Sequence, residues 1–285
     1  MNSHDISPLT RIVARLDRAR VDRVRELHDV ADTMRSGFPS LDRIIGRGFH
    51  RGDLIVLGGD DGVGTSSLAL GIALRCDSRA LVLTGEMRPE RVYERVLTMG
   101  ARVSLEALRL GNVTDDDRSR LGAAAIALRD HVPIVESITR GGLADVTRML
   151  ESLPDTRFVI IDGLEALLEH EERRVDALAF LVLSLKRLTV ERNIALLVCS
   201  HLPAMDRTRA DRRPRLTDFG VHGAVGTHAD LVLGLYREDM YDADVGVAGA
   251  TELIALKQRS GASGYADLYF FGQWLRFEDV LDPEP

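Results

Sequence analysis

Short apolar runs alternate with segments of helical spacing along most of this chain, and that alternation restricts the folds open to it. Strand-like runs occur at Asp53–Leu57, Ala80–Leu83, Val132–Val135, Phe158–Ile161, Ile194–Cys199, Leu231–Tyr236 and Glu252–Leu256. Helix-like segments at 65–75, 89–99, 115–129, 142–152 and 174–192 lie between the first five of them. Strand and helix in alternation with short loops imply a parallel sheet covered on both faces. The expected class is therefore α/β, a mostly parallel sheet flanked by helices. The tail, Ala266–Phe271 and Trp274–Phe277, reads as a terminal hairpin around Gly272 and Gln273. The connection from Leu202 to His228 is long for a compact domain, a length that usually marks function or disorder.

Residues 8–32 read as one exposed amphipathic helix, with Leu9, Ile12, Val13, Leu16, Val24, Leu27 and Ala31 at helical spacing among arginines and aspartates. Such a stripe has to pack on the main body or on a neighbouring subunit. The chain thus divides into an extending helix, 1–34, and one domain, 35–285. The longest apolar runs fall far short of the ~20 residues of a membrane span, and no signal-peptide core is present. Cys76 and Cys199 form neither a disulfide framework nor a metal knuckle. A soluble cytoplasmic protein without a membrane partner is expected. Net charge is −7, so no overall field draws the chain to nucleic acid, and any DNA contact must be local.

The first strand runs into Gly58-Gly59-Asp60-Asp61-Gly62-Val63-Gly64-Thr65-Ser66-Ser67 and then an Ala/Leu-rich helix. Strand, glycine loop and helix N-terminus make a cradle for phosphate, because backbone N–H groups and the helix dipole point at the anion. Gly59 to Ser66 fits the template G-x-x-x-x-G-K-[ST] except at Thr65, where lysine should touch the outer phosphates. Gly59, Gly62, Gly64, Thr65, Ser66 and Ser67 are the candidate nucleotide-binding residues, and the Ser66 hydroxyl suits Mg²⁺. Asp60 and Asp61 would repel phosphate unless turned outward. A glycine-rich turn that binds nothing is the competing reading. Against it stands Asp162, a carboxylate at the end of an apolar strand, the form that holds Mg²⁺ and its waters beside such a loop. Glu86, after the strand at 80–84, would stand at the carboxyl edge of the sheet, where it could orient an attacking water.

From about Arg35 to Val280 the chain resembles the RecA-like C-terminal domain of DnaB-type replicative helicases. The ordered motifs are Ser36-Gly37-Phe38-Pro39-Ser40-Leu41-Asp42, Gly52-Asp53-Leu54-Ile55-Val56, Gly85-Glu86-Met87, Ala101-Arg102-Val103 with Leu108-Arg109-Leu110-Gly111, Ser184-Leu185-Lys186, Arg213-Pro214-Arg215-Leu216-Thr217-Asp218, Ala229-Asp230-Leu231-Val232-Leu233 with Tyr236-Arg237, and Lys257-Gln258-Arg259-Ser260-Gly261. Gly58-Gly59-Asp60 also looks like the RadA branch of the superfamily. The resemblance implies a P-loop NTPase core using ATP and Mg²⁺. It makes Glu86 the water-activating glutamate, Ser66 and Asp162 the magnesium residues, and Lys257 and Arg259 the pair that reaches a neighbour's γ-phosphate. It also implies a homo-oligomeric ring, a hexamer, with single-stranded DNA and other replication or recombination proteins as partners. The helix at 8–32 looks like the family's linker helix, and the family's usual N-terminal domain has no counterpart ahead of it.

The departures weigh against full activity. His201 stands where the family has a glutamine that senses the γ-phosphate, and can still donate a hydrogen bond. Gly220 replaces the arginine of the pore loop that contacts DNA, although Arg207, Arg209, Arg212, Arg213 and Arg215 form a basic run that could grip phosphates instead. Losing a lysine–phosphate bond forfeits ~1.5–3 kcal/mol, and hydrolysis should suffer more than binding. Two functions remain open: a DnaB-like ATPase with weakened catalysis, and an inactive pseudo-ATPase that serves as an oligomeric scaffold.

Overall fold

The computed structural model describes residues 33–138, 142–168, 174–220, 223–242 and 246–280. The amphipathic segment 8–32 lies outside them. Among the described residues the main sheet has nine strands, and its centre is parallel. After a two-residue ladder of β1 (Thr33–Met34) with β2 (Phe49–His50), the order across the sheet is β11-β10-β9-β8-β3-β7-β6-β4-β5. These are β3 (Leu54–Gly59), β4 (Ala80–Thr84), β5 (Ile134–Ser137), β6 (Phe158–Asp162), β7 (Ala195–Ser200), β8 (Leu231–Arg237), β9 (Ala250–Gln258), β10 (Gly264–Phe271) and β11 (Arg276–Asp279). The helices are α1 (Pro39–Ile44), α2 (Thr65–Arg75), α3 (Pro89–Ala101), α4 (Leu105–Leu110), α5 (Asp115–Leu128), α6 (Gly142–Ser152), α7 (Arg174–Arg192) and α8 (Ala224–His228).

Every residue of β3, β4, β6 and β7 is buried, as the alternation of strand and helix requires. Successive side chains go to opposite faces. Ile55, Leu57, Phe158, Ile160 and Leu197 join Leu68 and Ile72 of α2 in one core, while Leu54, Val56, Val159, Ile161 and Leu196 join Val182 and Leu185 of α7 in the other. Most element boundaries lie within two residues of the sequence-based expectation, and two of the shifts have a local cause. The strand expected at Val132–Val135 begins at Ile134, because Pro133 has no N–H for the ladder and the Val132 N–H closes on Leu128. The second arm of the tail hairpin starts at Arg276, because Gly272–Trp274 is a 3₁₀ turn and Leu275 takes a left-handed conformation.

Asp230 ties the amino edge of the sheet together. Its Oδ2 accepts from the Leu54 N–H at 2.8 Å and from Lys186 Nζ at 2.6 Å, and its Oδ1 accepts from Arg259 Nε at 2.8 Å. Lys186 also donates to the Gly52 carbonyl. The carboxylate is almost fully buried, so truncation strands both a cation and an amide. Asp230→Ala is expected to lower stability by about 3 kcal/mol, measured by urea unfolding.

Candidate active site at the carboxyl edge of the sheet

The parallel register decides which side chains meet. Gly58 lies level with Ser200 of β7, and Thr84 of β4 lies level with Asp162 of β6. The loops after β3, β4, β6 and β7 therefore leave the sheet at one edge, where open α/β sheets bind ligands. Gly59 cannot carry a side chain, because a Cβ there would stand 2.4 Å from Val63 Cγ1. Gly64, at φ 109°, turns the chain into α2. No side chain caps α2 and its first turn is free of acidic residues, so its leading N–H groups are left for solvent or a ligand.

Ser66 Oγ donates to Asp162 Oδ1 at 2.7 Å. Burial pushes the Asp162 carboxyl up, and the Ser66 bond offsets this only in part. Beside it, Thr84 Oγ1 bonds both the N–H and the carbonyl of Met87, fixing the turn that presents Glu86. Glu86 lies directly over Gly163, where an added Cβ would sit 3.0 Å from Oε1. Ser66, Asp162 and Glu86 are thus brought together. One hydroxyl and one buried carboxylate, with no cluster of three or more metal-binding side chains among the described residues, fit a Mg²⁺ that takes its other ligands from phosphate and water.

Sequence reasoning missed Arg95. Burial lowers its pKa, and it feels the charges of Asp162 and Glu86. Its Nε is buried without a hydrogen-bond partner among the described residues. The available signal was an arginine within the helix face marked by Val92, Val96 and Met99, all of which are buried.

Asp60 and Asp61 do not stand alone in the loop. Asp60 Oδ1 accepts from Arg207 Nη2 at 2.7 Å and from Nε at 3.2 Å, and its Oδ2 accepts from the Tyr241 hydroxyl at 3.2 Å. Burial pushes the Asp60 carboxyl up, but the Arg207 bonds outweigh it and hold the group below its ordinary range. Tyr241 is pushed up to about 12 by burial and by the Asp60 charge. Asp61 Oδ1 meets His201 Nδ1 at 3.0 Å, and His201 Nε2 lies 3.5 Å from Glu86 Oε1. A continuous chain of polar groups, Tyr241, Asp60, Arg207, Asp61, His201 and Glu86, crosses the mouth of the loop.

The rest of the basic run is also engaged. Arg209 pairs with buried Asp218, Arg213 with Glu252 while lying over the Tyr236 ring, and Arg212 lies over Tyr241. Arg215 lies 3.8 Å from Asp211 and is exposed. Gly220 ends the 3₁₀ turn Leu216–Phe219, whose Phe219 ring is packed against Gly58. Lys257 and Arg259 lie elsewhere. Lys257 Nζ donates to the Ala229 carbonyl at 2.6 Å and Arg259 is held by Asp230. That is the opposite end of β3 from the glycine loop, about 17 Å of strand away.

Residues 33–279 match the model of the DnaB-like helicase C-terminal domain family. The chain belongs to that family. It is 27% identical over 272 residues to the replicative DNA helicase DnaC of Bacillus subtilis, covering 91% of this chain and 60% of that one. It is 28% identical over 255 residues to the replicative DNA helicase DnaB of Geobacillus stearothermophilus, covering 86% and 56%. The chain therefore spans about 60% of the length of these curated relatives. Among solved structures, a DnaB-like replicative helicase described with its interactions with primase superposes at TM-score 0.80 and 23% identity, covering 96% of this chain and 72% of that one. An ATPase domain does so at TM-score 0.78 and 21% identity, over 93% of this chain and 98% of its own length. This chain shares its RecA-like fold with the two solved structures. No helix among the described residues is long and apolar enough to cross a membrane.

The His201 pKa yields a prediction. Burial works against its charge, but Glu165, Glu86 and Asp61 outweigh it and raise the pKa above the ordinary value. A raised folded-state pKa contributes stability that is complete below the unfolded value of about 6.5 and is lost as pH rises through the folded value. His201→Gln is therefore expected to lower the melting temperature more near pH ~6 than near pH ~8.5. Equal losses at the two pH values would contradict this.

Proposed function

We propose that this chain is an ATP-binding, Mg²⁺-dependent helicase-type ATPase that works in a homo-oligomeric ring, a hexamer, and whose hydrolysis is weakened by Thr65. The observation that carries this reading is the meeting of the Ser66–Asp162 bond, Glu86 and an uncapped α2 at one edge of the sheet. In this reading the turn from Gly59 through Gly62 and Gly64 to Thr65, Ser66 and Ser67 surrounds the phosphates with backbone N–H groups. Ser66 and Asp162 hold Mg²⁺, which when bound spreads the charge of the outer phosphates. Glu86 accepts a proton from the attacking water, and His201, 3.5 Å from it, donates to the γ-phosphate oxygen.

Lys257 and Arg259 support the ring. They lie at the far end of β3 from their own glycine loop, where in this reading they serve a neighbour's site, and a cation given in trans is worth ~10³–10⁵ in well-studied NTPases. The expected helix boundary at residue 34 is too late, because Thr33–Met34 pairs with Phe49–His50 and Met34 is buried in the domain's own core; residues 8–32 would dock on that neighbour. Single-stranded DNA would meet the loop of Arg207, Arg209, Arg212, Arg213 and Arg215. Of these, Arg209 and Arg213 each meet both oxygens of a carboxylate in the single chain, which leaves Arg212 and Arg215, with the singly held Arg207, to reach phosphate. Other replication or recombination proteins are partners in this reading.

A second reading, an inactive scaffold on the same fold, draws on Thr65 and on the carboxylates of Asp60 and Asp61 inside the phosphate loop. DNA-stimulated ATP turnover separates the two. The ATPase reading expects Mg²⁺-dependent turnover, and Glu86→Gln should lower it at least ~10²-fold while nucleotide binding changes little. Turnover absent from the parent, or equal in Glu86→Gln, would leave the scaffold. Native mass spectrometry should show a closed ring at micromolar concentration, and a strict monomer would leave Arg259 without a site to serve.

A further inference from the structure

A glycine loop without its lysine has an electrostatic deficit, and the loop itself deepens it. Asp60 and Asp61 bring two carboxylates to a turn that already faces Glu86 and the buried Asp162. The turn itself then offers only backbone dipoles to a triphosphate, beside carboxylates of which Asp162 alone would be offset by Mg²⁺. An arginine bonded to the turn comes from far along the chain. Arg207, in the connection after β7, reaches Asp60 through Nε and Nη2, and its Nη2 lies 3.7 Å from Asp61 Oδ2.

The way Arg207 is held leaves it free to serve another anion. Both of its bonds go to a single oxygen, Asp60 Oδ1, instead of one to each oxygen of the carboxylate. The side chain is 53% exposed, while that of Asp60 is 11% exposed. Its Nη1 donates to no group among the described residues. A guanidinium with unused donors, beside a turn whose geometry suits phosphate, matches the fork that binds phosphate through two parallel bonds. The other arginines of the connection differ. Arg209 and Arg213 each meet both oxygens of a carboxylate.

Resting on the nucleotide-binding reading, we propose that Arg207 is the phosphate cation of this site, taking from the connection after β7 the part that Thr65 cannot play. Asp60 and Asp61 are the anions on which it rests until a triphosphate replaces them. Binding then exchanges one anion for another at the same guanidinium. Because Tyr241 donates to Asp60 and Arg212 lies over Tyr241, the exchange also unloads the segment that carries Arg212.

The test is a double-mutant cycle read by titration of mant-ATP with Mg²⁺, with melting temperatures taken for each variant. Arg207→Ala should weaken binding about tenfold to a hundredfold. Asp60→Asn should tighten it roughly twofold to fivefold by releasing Arg207, and most of that gain should vanish in the Arg207→Ala background. Thr65→Lys should shrink the effect of Arg207→Ala. If Asp60→Asn and Arg207→Ala both weaken binding, the pair is only a brace for the loop and the proposal falls. If Asp60→Asn tightens binding equally with and without Arg207, the effect is long-range charge, and the proposal falls again. It falls as well if Thr65→Lys binds mant-ATP and the parent does not. Binding by neither would overturn the nucleotide reading itself. Should Arg207→Ala lose its folding transition, Arg207→Gln replaces it in the cycle.

Discussion

The parallel ladder at the centre of the sheet carries everything that follows. A parallel pair brings the carboxyl ends of its strands to one edge, and the register decides which residues meet there. Thr84 level with Asp162 sets Glu86 beside the buried carboxylate, and Gly58 level with Ser200 sets His201 beside the glycine loop. A slip of one residue in either pair would turn alternate side chains to the wrong face of strands that are buried on both sides. The two cores therefore hold the site in place as firmly as they hold the fold. Asp230 anchors the same strands from the other end, where a single carboxylate joins β3 to α7 and to the segment after β9.

That division of labour between the two ends of β3 gives the fold its polarity. The carboxyl end presents an uncapped helix, a hydroxyl, and two carboxylates of different character. Asp162 is buried and bonded to Ser66, while Glu86 is about half exposed above Gly163. A buried carboxylate kept short of compensating charge attracts a divalent ion, and an exposed one can exchange protons with water. The amino end presents Lys257 and Arg259, held by a backbone carbonyl and by Asp230. In the proposed ATPase these would be the two halves of an interfacial site at opposite edges of one chain, which head-to-tail association would complete.

Much of this was legible in the sequence, for a physical reason. Apolar runs and helical spacing record burial, and burial is what a two-sided sheet imposes, so the strands, α2, α6 and α7 could be read within a residue or two. Local geometry was equally legible, as in the Gly59–Ser66 turn into α2 and in Asp162 at the end of an apolar strand. Long-range pairing was not. Asp60 and Arg207 are 147 positions apart, and nothing periodic links them. A run of five arginines looked like a single basic patch, whereas the fold gives Arg207, Arg209 and Arg213 each a carboxylate. Arg95 was hidden for a related reason, since helical spacing marks which face is buried and not which charge that face must meet. Pro133 shows the smaller kind of miss, where one absent N–H moved the start of a strand.

Thr65, Asp60, Asp61, His201 and Arg207 form one electrostatic problem rather than five separate features. A phosphate loop with lysine can tolerate neutral neighbours. A loop with threonine and two aspartates cannot remain uncompensated, because carboxylates this close repel one another as well as any nucleotide. The compensation comes from outside the loop, from His201 at the end of β7 and Arg207 a few residues later, and both lie on the connection that also packs Phe219 against Gly58. A lysine on α2 would tie phosphate only to the helix that bears it. A cation on the connection would tie phosphate to the segment that carries Arg212 and Arg215, so in the proposed scheme an occupant of the glycine loop would act on the part of the molecule that would face DNA. If Arg207 meets phosphate as proposed, the charge absent at position 65 is supplied instead by the connection after β7.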